Sequence, residues 1–145
     1  MTAGRILLVE DNPDDQVLVL RALKKNHIDS EVTVVDDGVE ALEYLFGEGK
    51  YHGRSDDTLP TVMLLDIKLP RLDGHDVLRQ LRADSRTRHL PVVVMTSSSE
   101  EEDIRKSYEL GANSYIRKPV DSGQLTSTVT QLGNYWLKLN QSPYA

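Results

Sequence analysis

Three short segments, Arg5–Val9, Thr61–Leu65 and Leu90–Met95, carry apolar runs without polar alternation, and each gives way to a helical pattern. A strand with one wet face alternates polar and apolar residues, whereas a strand covered on both faces does not. Repetition of this unit therefore predicts a parallel sheet with helices on both sides. Glu31–Val35 and Ser114–Arg117 supply two further strands of mixed polarity. Asn12 and Pro13 read as the N-cap and first residue of a helix reaching about Asn26, with Val17, Leu20 and Leu23 on one stripe. Gly38 opens a second helix carrying Val39, Leu42, Leu45 and Phe46, and His75–Ala83 forms a third with Val77, Leu78 and Leu81 inward. Ser99 and Glu102 predict a capping box for a helix ending at Leu110, where Gly111 caps it. The last helix spans Ser122 to Leu139, with Leu125, Val129, Leu132, Trp136 and Leu139 as its apolar stripe. Gly133 inside it costs about 1 kcal/mol relative to alanine. Gly47–Pro60 is a polar loop, longer than most α/β connections. Five strands alternating with five helices make a doubly wound α/β domain.

Composition narrows the function classes. A chain of 145 residues suits one domain with a real core, and no linker or repeat divides it. The net charge of −6 argues against a nucleic-acid surface. The absence of cysteine removes disulfides, thiol catalysis and cysteine-based zinc sites. Ile6–Val9 is too short for a secretory core, and no apolar run approaches the ~20 residues of a membrane span. The expected location is the cytoplasm.

In an open parallel sheet, function collects beyond the carboxyl ends of the strands. Here those ends are Glu10-Asp11, Asp66, Thr96 and Lys118. Three carboxylates at one mouth repel each other unless a cation intervenes, and Mg²⁺ suits a few carboxylates plus water and phosphate oxygens. Asp66, ending an apolar strand, is the candidate nucleophile, since carboxylates form acyl phosphates. Phosphoryl transfer needs positioning and charge neutralisation above all. Lys118 offers a compact counter-charge and Thr96 a hydrogen bond to a phosphoryl oxygen.

The segments Val9-Glu10-Asp11-Asn12, Leu64-Leu65-Asp66-Ile67, Leu69-Pro70-Arg71-Leu72-Asp73-Gly74, Met95-Thr96-Ser97 and Tyr115-Ile116-Arg117-Lys118-Pro119 resemble the motifs of response-regulator receiver domains. The resemblance covers about residues 4 to 139. It implies a CheY-like, flavodoxin-like sheet of order 2-1-3-4-5. It also implies that Asp66 accepts a phosphoryl group from a histidine of a sensor kinase. Glu10, Asp11, Asp66 and the backbone carbonyl of Lys68 would hold Mg²⁺. Thr96 would be the switch hydroxyl, Tyr115 the switch aromatic and Lys118 the phosphate-binding lysine, with a cis Lys118–Pro119 bond. Phosphorylation would reshape the face made by the fourth helix, fifth strand and fifth helix. The long Gly47–Pro60 loop and the C-terminal extension resemble phytochrome-associated regulators of the Rcp type, single receivers that dimerise through that face. The implied partners are a sensor histidine kinase of phytochrome type, an unknown downstream protein and a second copy.

Rival readings are a motor-binding chemotaxis regulator, a phosphorelay shuttle and a haloacid-dehalogenase-type Mg²⁺ phosphohydrolase. The last requires an acid two residues after the nucleophile, where this chain has Lys68. A flavodoxin-like FMN binder would bring its phosphate against Glu10, Asp11, Asp14 and Asp15. Too few residues follow the fifth helix for a DNA-binding output domain, so the expected output is binding to another protein, relay of the phosphoryl group, or both. The receiver resemblance implies a phosphoacceptor rather than a turnover enzyme. Lys68 bears on the approach of hydrolytic water. His27, His52, His75 and His89 read as surface histidines.

Overall fold

The computed structural model describes residues 4–25, 30–53 and 59–143. The strands are β1 (Gly4–Val9), β2 (Ser30–Val35), β3 (Val62–Leu65), β4 (Val92–Thr96) and β5 (Ser114–Arg117). The helices are α1 (Pro13–Lys25), α2 (Gly38–Phe46), α3 (Gly74–Ala83), α4 (Glu101–Glu109) and α5 (Ser122–Asn134). The five strands are all parallel, in the order β2-β1-β3-β4-β5. Period-two alternation divides each apolar strand between two cores. Leu7, Val9, Met63, Leu65, Val92 and Val94 pack with α2 and α3, through residues such as Leu42, Leu45, Val77, Leu78 and Leu81. Ile6, Leu8, Val62, Leu64, Val93 and Met95 meet Val19 and Leu23 of α1 and Leu125, Val129 and Leu132 of α5. This division explains why the runs carry no alternation: neither face is wet.

Aspartates start three of the helices. Asp37, Asp73 and Asp121 each accept the backbone N–H three residues on, at 2.8, 2.9 and 3.0 Å. Asn12 caps α1, its Oδ1 accepting the Asp14 N–H at 2.9 Å and the Asp15 N–H at 3.3 Å. Gly111 ends α4 in the left-handed region at φ 99°, with its N–H bonded to the Tyr108 carbonyl.

Several expectations need correction. The buried face of α1 is Val19, Ala22 and Leu23, while Val17 and Leu20 face solvent. The Ser99 capping box does not form. Glu100 holds the N-cap position without a side-chain bond, and Ser98 lies where it accepts the Glu100 N–H at 3.3 Å. The final helix changes winding: Tyr135–Leu139 is π-helical, closed by Asn140 N–H on the Tyr135 carbonyl at 2.7 Å. That wider turn carries Leu137 into the core beside Trp136 and turns Leu139 outward to 71% exposure. The Gly47–Pro60 loop begins with a 3-10 turn at Gly49–Tyr51, and residues 54–58 lie outside the described residues.

Candidate functional site

Register brings the strand ends together. Val9 and Leu65 are paired, so Glu10 and Asp66 follow side by side, and the Asp66 N–H bonds the Val9 carbonyl at 3.1 Å. Thr96 closes β4 opposite Arg117, and the Lys118 N–H reaches the Thr96 carbonyl at 2.6 Å. All the strand-end residues expected to act together therefore meet at one edge. Carboxylate oxygens of Glu10, Asp11 and Asp66 lie within 4.8 Å of one another. Glu10 and Asp66 are buried and Asp11 is exposed, which leaves the cluster open on one side.

Lys118 fills the centre. Its Nζ lies 2.6 Å from Glu10 Oε1, 2.9 Å from Asp15 Oδ2 and 3.2 Å from Asp66 Oδ2. Burial works against its charge, but hydrogen bonds to Glu10 and Asp15 and the field of Asp66 outweigh it, holding the ammonium above the ordinary lysine range. Burial pushes the Glu10 carboxyl up, against the pull of Lys118 and with the Asp66 charge adding to the push. Four carboxylates against one ammonium leave an excess of negative charge that suits a hard divalent cation. Asp66 is held by both oxygens: Oδ1 accepts the Lys68 N–H at 3.1 Å and Oδ2 faces Lys118.

Thr96 is wholly buried, and its Oγ1 is the single buried side-chain polar atom without a hydrogen-bond partner among the described residues. An orphan of this kind costs about 1–3 kcal/mol. Tyr115 packs on the core beside it and donates its hydroxyl to the Ser98 carbonyl at 2.9 Å. The β3–α3 loop is strapped down by Arg71, whose forked pair to Asp37 has contacts of 2.9 and 3.0 Å. Arg71 stands at φ 64°, in the left-handed region that favours glycine.

Sequence reasoning missed Asp15 as a partner of Lys118. Its signal was weak: one acid among several in the first turn of α1. The Lys118–Pro119 bond is trans, since no cis bond occurs among the described residues. A trans X-Pro bond is favoured by about 0.5–1 kcal/mol, and here it already delivers Lys118 to the carboxylates. His75 is not a surface residue: it is 7% exposed, and its Nε2 lies 2.9 Å from Ser107 Oγ across the α3–α4 contact. Its position just after the Asp73 cap turns it inward. His52 and His89 are exposed, and His27 lies outside the described residues.

The comparisons agree with this geometry. The profile of the response regulator receiver domain matches residues 6–130. A probable methanogenesis regulatory protein, FilR2 of Methanothrix harundinacea, is 40% identical over 95% of this chain and 86% of its own length. Response regulator Rcp1 of Synechocystis is 36% identical over 97% of this chain and 93% of its own. Among solved structures, the phosphorylated cyanobacterial phytochrome response regulator RcpA superposes with a TM-score of 0.91 at 39% identity, covering 98% of this chain and 99% of that one. The Mn²⁺-bound form of Rcp1 superposes at 0.89. With five parallel strands in CheY-like order, an acid cluster at their carboxyl ends and a family match over most of its length, this chain belongs to the response regulator receiver domain family.

Proposed function

We propose that Asp66 is the phosphoacceptor and takes its phosphoryl group from a histidine of a sensor kinase. The observation that carries this is the convergence of Glu10, Asp11, Asp66 and Lys118 around one open edge of the sheet. Glu10, Asp11, Asp66 and the Lys68 backbone carbonyl are the groups that would hold Mg²⁺. When bound, that ion neutralises charge on the transferred group. An Asp66 oxygen attacks phosphorus and the P–N bond breaks. Its electron pair stays on the imidazole nitrogen, which takes up a proton. Lys118 is already at Asp66 and can follow the new phosphoryl oxygens, while the free hydroxyl of Thr96 donates to one of them. Tyr115 then answers the movement of Thr96 through the Ser98 loop. The output is a change on the face of α4, β5 and α5, read by a downstream protein or by a second copy of this chain. Tyr108, Tyr135 and Leu139 are exposed there at 49%, 48% and 71%.

The chain acts stoichiometrically, as a phosphorylated signal carrier rather than a turnover enzyme. Relatives whose names include phytochrome or bacteriophytochrome response regulator support a phytochrome-type kinase as donor. A cytoplasmic setting fits that donor, and no helix among the described residues is long and apolar enough to cross a membrane. With acetyl phosphate and a Mg²⁺ salt, the chain is expected to take up about one hydroxylamine-labile phosphate, and Asp66→Asn is expected to take up none while still unfolding in one cooperative transition. Stoichiometric labile phosphate on Asp66→Asn would overturn the assignment.

A further inference from the structure

A helix is ordinarily held to its domain by an apolar stripe. The one buried residue of α4 is a serine, Ser107. Its tethers are polar. His75 meets Ser107 at 2.9 Å, the Tyr115 N–H reaches the Tyr108 hydroxyl at 3.1 Å, and Ser98 Oγ donates to Asp103 Oδ2 at 2.6 Å. The same Asp103 oxygen faces Lys68 Nζ at 3.8 Å. Lys68 and Ser98 each stand two residues past a strand-end residue of the site, Asp66 and Thr96. The Lys68 backbone is pinned to Asp66 Oδ1, while its side chain is 65% exposed. Lys68, Asp73, His75, Asp103 and Lys106 line one open groove between the β3–α3 loop and α4.

We infer that Asp103 is a positioning residue that parks the Lys68 ammonium in the resting state, and that phosphorylation of Asp66 draws Lys68 off Asp103. This rests on the phosphoacceptor reading of Asp66. A phosphoryl group brings about −1.5 to −2 charges against the single charge of Asp103. Lys68 is rooted beside Asp66 and has the length to reach either anion. Its transfer leaves Asp103 with Ser98 alone, so α4 loses its ionic tie to the β3–α3 loop only when Asp66 is modified. Over the phosphoryl group, Lys68 obstructs the water that attacks phosphorus opposite the Asp66 oxygen, the step that breaks the O–P bond and releases inorganic phosphate.

The test follows the decay of labelled acyl phosphate on the full chain after acetyl phosphate and Mg²⁺ are removed from the mixture by rapid desalting and Mg²⁺ is restored. Asp103→Asn keeps an acceptor for Ser98 but releases Lys68. It is expected to lengthen the half-life about two- to fivefold, the size of an exposed ion pair. Asp103→Glu restores the charge and is expected to return the half-life toward that of the unaltered chain. Lys68→Met is expected to shorten the half-life and to abolish the effect of Asp103→Asn, whereas Lys68→Arg preserves that effect. An equal lengthening by Asp103→Asn with and without Lys68 overturns the pairing. So does a Lys68→Met half-life equal to that of the unaltered chain, a comparison that needs no change in α4. A chain that takes no label at all overturns the phosphoacceptor reading and the pairing with it; a labelled chain whose variants all decay alike overturns the pairing alone.

Discussion

At the scale of single residues, Thr96 carries a local cost to stability that the proposed switch role would account for. Its hydroxyl is buried without a partner, at a position where valine has the same shape and no polar atom to satisfy. Thr96→Val is therefore expected to raise stability, by up to about 1–3 kcal/mol in urea unfolding. The same variant is expected to leave the backbone amides of the Ser98 loop and α4 unmoved on phosphorylation, as read by amide chemical shifts. His75 gives a second test. Burial, aided by the nearby Lys106 charge, holds its pKa below 6.5, so the unfolded chain binds the proton more tightly. The stability it contributes is present above pH 6.5 and is lost as pH falls below it. His75→Gln, which keeps a hydrogen-bonding group for Ser107, is expected to flatten the stability profile between about pH 8 and about pH 5. These two residues also mark how far the site was legible in the sequence. Thr96 and Asp66 were readable because an apolar run ends at each. Asp15 as a partner of Lys118 and Asp103 as the partner of Lys68 were not: both are ordinary first-turn acids until the fold sets them against distant lysines.

At the scale of elements, the strands were legible because both-face burial leaves a direct trace in composition, while helix faces depend on winding that spacing alone does not fix. The apolar spacing of 4, 3, 4 and 3 in the last helix fits an α-helix and places Leu139 on the stripe. The i→i+5 bond at Tyr135–Asn140 substitutes Leu137, five residues after Leu132. Leu137 lies against Gly4 of β1, where an added Cβ would strike it. The two leucines thus carry opposite expectations. Leu137→Ala is expected to lower unfolding free energy by about 2 kcal/mol, the low end for a leucine truncation because the residue is half-buried. Leu139→Ala is expected to stay within about 0.5 kcal/mol, as for other surface changes. If the α4–β5–α5 face pairs two copies, sedimentation of the phosphorylated chain will show Leu139→Ala weakening association while leaving monomer stability intact. Urea titration of both variants separates the α-stripe from the π-wound arrangement, since the first demands the reverse ranking.

At the scale of the whole molecule, the balance of charge matters more than any single pair. The chain carries a net −6, and its functional edge concentrates Glu10, Asp11, Asp15 and Asp66 around one lysine. Lys118 cannot neutralise four carboxylates, so the folded chain holds like charges together that the unfolded chain spreads apart. A ligand that binds only the folded state and relieves this repulsion raises stability by mass action, about 2.7 kcal/mol at a hundred times its dissociation constant. Mg²⁺ is expected to raise the thermal midpoint in a saturable way that an equal ionic strength of NaCl does not reproduce, because screening is weak for buried charges. Asp11 separates the two contributions, being the exposed member of the cluster. Asp11→Asn removes one of the repelling charges, so without Mg²⁺ it is expected to unfold at or slightly above the midpoint of the unaltered chain, yet to lose most of the Mg²⁺-dependent rise. A scan of the thermal midpoint against Mg²⁺ concentration for both chains decides it. Parallel rises in the two would move the cation away from Glu10, Asp11 and Asp66, and would leave Lys118 as the sole counter-charge for transfer at Asp66.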